Sequence, residues 1–166
     1  MDGSPPRVGI GIDGHPFGPG APLRLGGIEI PGAPALHGHS DGDAALHALA
    51  DALLGAAGLG DLGRHHPADA RTPRGVASVD LLASVVSMVR DVGWKPASTD
   101  LTSIAGRPHL GGHLDAIRAA IAGVLDVEVG AVSVKASTGN LSGDAAAGRG
   151  IAGHAVACLV PDEKRS

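Results

Sequence analysis

The stretch His37–Gly63, HGHSDGDAALHALADALLGAAGLGDLG, decides the fold of this chain because it combines a long helix pattern with a dense group of polar residues. Ser40 and Asp43 have the spacing of a capping box, so the helix is predicted to begin near Asp41. Leucine and alanine then recur at steps of three and four residues, which is typical of a buried helix face. Gly58 is placed to end the helix, and the rest of the domain is expected to pack around it.

Histidines and aspartates are dense in the first half of this stretch. Asp43, His47 and Asp51 lie four positions apart, so they are expected to share one helix face. A lone histidine on a helix most often belongs to a solvated polar face. Six such residues within fifteen positions instead favour a metal or phosphate site. The six are His37, His39, Asp41, Asp43, His47 and Asp51.

Length and composition limit the class of protein. A chain of 166 residues fits one domain, and a formal net charge of −4 without a basic run argues against a nucleic-acid partner. The single cysteine, Cys158, cannot form an intramolecular disulfide, and neither a signal peptide nor a membrane span is visible. We therefore expect a soluble, cytoplasmic protein with no membrane contact. With almost no aromatic residues, its core depends on small aliphatic side chains, which favours burying further surface in an oligomer.

Helix and strand patterns alternate along the chain, which predicts an α/β or α+β fold of two layers. Residues 1–6 are expected to be disordered, 7–161 to form a single domain, and 162–166 to be a solvated tail. The predicted strands are 7–13, 97–105, 131–137 and 151–160, with a short hairpin at 23–30, and the further helices are 75–93 and 114–125.

Asp13 and His15 follow the first strand two positions apart, so their side chains should project to the same side of extended chain. Such a pair offers two metal ligands from one short segment, although it also occurs often by chance. The surrounding GIGIDG is not a dinucleotide-binding motif, because no helix pattern follows it. Asp61 lies between two glycines and has two interpretations: a turn residue, or a carboxylate that binds sugar hydroxyls.

Four segments together resemble, in order and spacing, the 2-C-methyl-D-erythritol 2,4-cyclodiphosphate synthase family. They are GIGIDGHPFG, HSDGDAALHALADALLGAAGLGDLG, STDLTSIAGRPHL and VSVKAST with GRGIAGHAVACL, within residues 7–160. The resemblance implies a homotrimer whose subunits pack helices against a mixed sheet, with active sites between neighbouring subunits. It also implies a zinc ion held by Asp13, His15 and His47, with the fourth position open to a substrate phosphate.

The reaction implied by the resemblance belongs to the non-mevalonate route to isoprenoids. The 2-phosphate of 4-diphosphocytidyl-2-C-methyl-D-erythritol 2-phosphate attacks the β-phosphorus and expels CMP, which closes the 2,4-cyclodiphosphate. Because the nucleophile belongs to the substrate, catalysis consists of positioning and charge neutralisation. A second divalent cation, Mg²⁺ or Mn²⁺, is expected to bridge the α- and β-phosphates.

The resemblance also assigns residues to parts of the substrate. His39, Ser40 and Thr138 match phosphate-contacting positions, and Asp61 and Gly63 match the positions that hold the sugar. The residues that match the nucleotide site are Ala105, Gly106, Arg107, Pro108, His109, Leu110, Lys135, Ala136 and Ser137.

Several positions depart from the family pattern. Asn140 stands where the family has the glutamate of the second cation; it keeps a carbonyl ligand but loses the charge. Ala147 and Arg149 replace an arginine and a glutamate at the trimer axis, and His154 replaces a glutamate on the last strand. His109 stands in place of a lysine of the cytosine loop. These changes leave two alternatives to a working cyclase: a diverged paralogue that binds zinc and a cytidine nucleotide without cyclising it, or a zinc phosphohydrolase.

Overall fold

The computed structural model describes residues 4–163, apart from the Leu141 side chain, and contains both strands and helices. The strands are β1 (Arg7–Pro16), β2 (Leu23–Leu25), β3 (Ile28–Ile30), β4 (Trp94–Ile104), β5 (Val132–Ser137) and β6 (Gly150–Pro161). The helices are α1 (Ala44–Ala57), α2 (Leu62–His65), α3 (Ser78–Asp91), α4 (Leu114–Leu125) and α5 (Gly143–Ala146), with 3₁₀ turns at Gly111–His113, Val129–Ala131 and Gly139–Leu141. The predicted helix at 114–125 is confirmed at both ends. The helix predicted at 75–93 is shorter than expected, and the strand predicted at 97–105 begins earlier.

Four strands form one mixed sheet in the order β1-β6-β4-β5. β6 pairs antiparallel with both β1 and β4, whereas β4 and β5 are parallel. β1, β4 and β5 therefore run in the same direction and all end at the same end of the sheet. The predicted hairpin is confirmed as β2 and β3, joined by Gly26 and Gly27 with φ of 61° and 83°. Positive φ at both central residues is what a tight hairpin turn requires.

The helices cover one face of the sheet, so the predicted two-layer fold is confirmed. Helix α1 lies across β1 and β6, and α3 and α4 pack beside it over β4 and β5. The buried sheet residues Leu101, Ala155, Ala157 and Leu159 face these helices. The opposite face of the sheet has no helix layer within residues 4–163. No helix of this described range has the length and apolar character needed to cross a membrane.

Helix α1 begins at Ala44, three residues later than predicted, because its N-cap is Asp43 and not Ser40. The Asp43 carboxylate accepts hydrogen bonds from the backbone N–H of Leu46, at 3.1 Å, and from Gly26 and Gly27, at 2.9 and 2.8 Å. Asp43 is therefore buried under the β2–β3 turn as the N-cap, and the prediction that it shares one helix face with His47 and Asp51 is wrong. Burial raises the pKa of Asp43, against the three N–H donors that favour its charged form.

The strand β1 meets α1 through glycine. A Cβ atom on Gly9 or Gly11 would lie 2.1 or 1.8 Å from a carbonyl oxygen of α1, so the two backbones are in direct contact. The larger side chains of the strand, Val8, Ile10 and Ile12, point the other way and are 67%, 68% and 60% exposed. The apolar face of β1 therefore lies on the uncovered side of the sheet.

The chain ends agree only partly with prediction. Ser4, Pro5 and Pro6 are exposed and outside regular structure, and residues 1–3 lie outside the described range. Asp162, which was predicted to begin a solvated tail, is buried, and its N–H donates to the Gly93 carbonyl at 2.9 Å. Residues 164–166 also lie outside the described range.

Candidate metal centre

Asp13, His15 and His47 meet where the end of β1 crosses the first turn of α1. Asp13 Oδ2 lies 2.8 Å from His15 Nε2 and 3.2 Å from His47 Nδ1, and the two ring nitrogens are 3.2 Å apart. A tetrahedral zinc ion with ligands at about 2.0–2.2 Å requires about 3.3–3.5 Å between ligand atoms. The three residues therefore fit one zinc ion with little movement, and two imidazoles with one carboxylate are donors that zinc accepts.

The second nitrogen of each histidine also has a partner. His15 Nδ1 lies 2.7 Å from the His37 carbonyl oxygen, so Nδ1–H is the donor and Nε2 is left for a metal. His47 Nε2 lies 2.9 Å from Ser78 Oγ and 3.1 Å from Ser40 Oγ. Metal-bound histidines usually donate their other N–H in this way, which fixes the orientation of the ring. His37 supplies only its backbone carbonyl to this arrangement, and its side chain is exposed.

The charges around Asp13 favour its ionised form. Burial opposes ionisation, but the close contacts with the imidazoles of His15 and His47 outweigh it and hold the pKa of Asp13 well below its usual range. The contact with the Asp13 carboxylate likewise raises the pKa of His15, against the effect of burial. Asp13 thus keeps the negative charge that a divalent cation needs.

A cavity of about 300 Å³ opens beside the triad. Besides the triad, its polar lining residues are His39, Ser40, Asp51, His66 and Thr72, with the backbone of Gly63. His39 and Ser40, which were predicted to contact phosphate, therefore lie next to the Asp13–His15–His47 triad. His39 Nε2 is held by the Thr72 carbonyl at 2.6 Å.

His66 and Thr72 were not predicted as site residues. Both carry a buried side-chain atom, His66 Nε2 and Thr72 Oγ1, that has no hydrogen-bond partner within residues 4–163. Burial lowers the pKa of His66, so its ring is neutral near pH 7. No spacing in the sequence distinguishes these two residues from ordinary loop positions, because they enter the cavity through the fold of the loop after α1.

Asp61 does not line this cavity, although Gly63 does. Its side chain accepts a hydrogen bond from the Arg64 N–H at 2.9 Å and caps the short helix α2. Asp51, one turn after His47, accepts from the Leu62 N–H at 2.7 Å and so holds the same loop against α1. In this structure Asp61 has the turn-forming role that was one of its two interpretations.

A second cavity, of about 250 Å³, lies at the ends of β4 and β5. Its lining comprises Ala105, Gly106, Arg107, Pro108, His109, Leu110, Gly111, Leu114, Ala136, Ser137 and Thr138. The predicted nucleotide residues are thus brought together, with the exception of Lys135. The Lys135 ammonium instead pairs with Asp100 on the neighbouring strand, and this contact holds the pKa of Asp100 below its usual range.

Asn140 lies outside both cavities, on the exposed surface after β5. Its φ of 51° is in the left-handed region. Asp144, four residues later, forms an exposed ion pair with Arg149. Those two residues line a third cavity of about 430 Å³, together with His15 and residues of β6.

The two cavities that hold the predicted substrate contacts share no lining residue among residues 4–163. Both lie at the same end of the sheet, but the triad is on β1 and the second cavity is on β5, at opposite edges. Three strand spacings of about 4.8 Å separate those edges by about 14 Å. One copy of the chain therefore presents two separate cavities and not one closed pocket.

Comparison with known proteins connects this arrangement to one family. A model of the YgbB family matches residues 6–160. The 2-C-methyl-D-erythritol 2,4-cyclodiphosphate synthase of Symbiobacterium thermophilum is 48% identical over 152 residues, which are 92% of this chain and 97% of that protein. The synthase of Chromobacterium violaceum is 52% identical over 132 residues, which are 80% of this chain and 84% of that protein.

A solved structure supports the same relationship. A CDP-bound 2C-methyl-D-erythritol-2,4-cyclodiphosphate synthase superposes with a TM-score of 0.81 at 35% identity, over 93% of this chain and 100% of that one. Because the family match runs through the triad and both cavities, this chain belongs to the YgbB family, the family of the 2-C-methyl-D-erythritol 2,4-cyclodiphosphate synthases.

Proposed function

We propose that this protein converts 4-diphosphocytidyl-2-C-methyl-D-erythritol 2-phosphate into 2-C-methyl-D-erythritol 2,4-cyclodiphosphate and CMP. The protein is a lyase of isoprenoid precursor synthesis, as its relatives over most of the chain are. The observation that carries the proposal is the Asp13–His15–His47 triad beside an open cavity, since a substrate phosphate can reach it from that side.

Asp13, His15 and His47 would hold the zinc ion, and the triad geometry fits it. When bound, zinc supplies Lewis-acid polarisation of a phosphate oxygen. Ser40 and His39 stand at the wall of the cavity next to the triad, where the Ser40 hydroxyl can donate to a phosphate oxygen. The His39 N–H can do so if it releases the Thr72 carbonyl. The nucleophile is the substrate's own 2-phosphate, so these residues need only align it with the β-phosphorus.

The cavity at the ends of β4 and β5 is the proposed nucleotide site. Residues 105–110 line this cavity of about 250 Å³, and Ser137 and Thr138 also line it and carry hydroxyls. Asp61 and Gly63 are proposed to contact the sugar. Asp61 would have to release its hydrogen bond to Arg64, which costs little because that contact is exposed.

A homotrimer would complete the site from two copies. The uncovered face of the sheet carries the exposed apolar residues Val8, Ile10, Ile12 and Val156, which are a candidate interface. Association through this face would bring the β1 edge of one copy towards the β5 edge of the next. The triad and the proposed nucleotide cavity, which lie at opposite edges of the sheet within one copy, would then face each other across the interface.

The second divalent cation, Mg²⁺ or Mn²⁺, is proposed to lie near Asn140, which offers a carbonyl oxygen and no charge. Asp144 can supply a carboxylate if its exposed pair with Arg149 opens, and exposed pairs contribute only about 0–1 kcal/mol. A cytoplasmic location stays part of this proposal.

The proposal is tested by incubating the zinc-loaded protein with Mg²⁺ and the CDP-linked substrate and identifying products by ³¹P NMR and mass spectrometry. We expect the cyclic diphosphate together with an equal amount of CMP, and no product from His47→Ala. CMP with an open-chain 2,4-bisphosphate, formed when water replaces the 2-phosphate as nucleophile, would identify a phosphohydrolase instead. Unchanged substrate with retained nucleotide binding would identify a binding-only paralogue.

A further inference from the structure

Ser78 is the first residue of α3, is 1% exposed, and lies directly behind the metal triad. Its Oγ is 2.9 Å from His47 Nε2, and it donates its own hydroxyl proton to Asp41 Oδ1. The other oxygen of Asp41 accepts the Ser78 backbone N–H at 3.0 Å. His47, Ser78 and Asp41 therefore form a continuous row that leads away from the triad into the protein.

The directions of these hydrogen bonds follow from the chemistry of the groups. A carboxylate can only accept, so the Ser78 proton is committed to Asp41. Ser78 Oγ then meets His47 through a lone pair, and His47 Nε2 must carry the proton between them. The opposite nitrogen, Nδ1, is left unprotonated, and it is the atom that lies 3.2 Å from both Asp13 and His15.

We propose that Asp41 and Ser78 are positioning residues that fix His47 as the Nε2–H tautomer, with Nδ1 presented to the metal. The buried row also prevents rotation of the imidazole and increases the electron density on Nδ1, because the negative charge of Asp41 is transmitted through Ser78. This inference rests on the proposed metal site and adds two residues that the triad alone does not contain.

The row also separates the roles of two serines. Ser40 Oγ is 3.1 Å from the same His47 nitrogen and accepts the Gly42 N–H at 3.1 Å. Ser78 gives the shorter contact, and its oxygen has a lone pair directed at His47. Ser78 Oγ therefore accepts the hydrogen bond from His47 Nε2–H. The Ser40 hydroxyl proton is then free to be donated into the cavity.

A purely structural role for the row is the competing explanation. Asp41 also connects the loop before α1 to α3, because its N–H donates to the Val76 carbonyl at 3.1 Å. Removing it could destabilise the fold without affecting the state of His47. The test therefore needs measurements that report on zinc and on the imidazole proton, with thermal unfolding followed in parallel.

The first experiment measures zinc affinity by competition with a chromogenic chelator. Relative to the wild type, Ser78→Ala should bind zinc about 10–100-fold more weakly, as is usual when the outer partner of a metal ligand is lost. In Asp41→Asn the zinc affinity should fall by a smaller factor, because the amide oxygen can still accept a hydrogen bond from the Ser78 hydroxyl. Ser78→Thr, which keeps the hydroxyl, should bind as tightly as the wild type. The matched control Ser87→Ala, which changes an exposed serine of the same helix, should do so too.

The second experiment detects the imidazole proton by ¹H–¹⁵N NMR of zinc-loaded protein with ¹⁵N-labelled histidine. The wild type should show a slowly exchanging His47 Nε2–H, and Ser78→Ala should show fast exchange at that site. Fast exchange of the His47 Nε2–H in the wild type, or wild-type zinc affinity in a folded Ser78→Ala, would overturn the inference while leaving the metal site in place. If His47→Ala also bound zinc normally, the proposed metal site itself would be wrong.

Discussion

Gly11 of β1 lies so close to Ala48 of α1 that a Cβ atom at position 11 would be 1.8 Å from the Ala48 carbonyl oxygen. Gly9 makes the same kind of approach to Ala52 one turn further along the helix. The two elements that carry the metal triad are thus fixed by contact between backbones, with no side chain between them. Small residues on both elements are therefore a condition for the geometry of the metal centre.

Replacing Gly11 with alanine should push β1 and α1 apart. We expect a loss of at least about 3 kcal/mol in unfolding free energy, at the upper end for overpacking because the obstacle is backbone, together with weaker zinc binding. The matched control is Gly55→Ala on α1, where nothing lies within 4 Å of the new Cβ. That control should stabilise the protein by about 0.5–1 kcal/mol. Equal melting temperatures for the two variants would contradict the close approach.

Asp43→Ala should be strongly destabilising because it removes the N-cap of α1 and the acceptor for the β2–β3 turn. The lost cap and the buried N–H groups left without an acceptor together predict about 2–4 kcal/mol, measured by urea unfolding. Asp61→Ala removes the exposed cap of α2 and should cost less than about 1 kcal/mol. Equal stability of the two variants would show that the hydrogen bonds of Asp43 do not hold the β2–β3 hairpin to α1.

His47→Ala should lose tight zinc binding, since two ligands remain where three are needed. We expect the affinity to fall by more than about 100-fold, whereas His37→Ala, which leaves the His37 carbonyl in place, should bind normally. In the wild type, zinc at 100 times its Kd should add about 2.7 kcal/mol of stability, which a chelator removes. A melting temperature of His47→Ala that still falls on chelation would place the metal elsewhere.

The left-handed backbone at Asn140 changes how the second-cation site should be tested. Aspartate tolerates that conformation nearly as well as asparagine, whereas glutamate does not, so Asn140→Asp restores charge with the smaller strain. It should lower the magnesium or manganese concentration needed for half-maximal turnover at saturating zinc. Asp144→Ala should raise that requirement if Asp144 substitutes as a ligand. Identical cation titrations for all three proteins would show that the site lies elsewhere.

The uncovered face of the sheet can be tested directly as the trimer interface. Ile10→Glu places a charge in the middle of the exposed apolar strip and should give monomers in sedimentation experiments at micromolar concentration. Val92→Glu is the matched control, because Val92 is 47% exposed at the end of α3 and away from this face. A wild-type protein that sediments as a monomer would contradict the composite site as a whole.

Much of the fold could be predicted from local patterns, but not the direction in which β1 faces. Its alternation of glycine with valine and isoleucine indicates a two-faced strand. The pattern alone does not show that the glycine face is buried, because burial normally selects the larger side chains. The structure reverses that preference, since α1 approaches closely and the apolar face is left uncovered.

The meeting of Asp13, His15 and His47 could be predicted because each lies on a regular element whose spacing is visible in the sequence. The positions of Ser78 and His66 could not be predicted. Ser78 lies 31 residues beyond His47 and His66 lies 19 residues beyond it, and loops of irregular geometry bring both to the site. The placement of Asp43 was missed for a similar reason. Its spacing from His47 places it on the same helix face, but a helix cap points away from that face, towards free N–H groups.

The strand order β1-β6-β4-β5 also has a genetic consequence in the proposed trimer. A copy with a defective triad still contributes an intact nucleotide cavity, and a copy with a defective cavity still contributes an intact triad. Mixed assemblies of two inactive variants would then regain some complete sites wherever the two intact halves meet. Selection would accordingly act on the boundary between copies, and two alleles that each fail alone could sustain growth together.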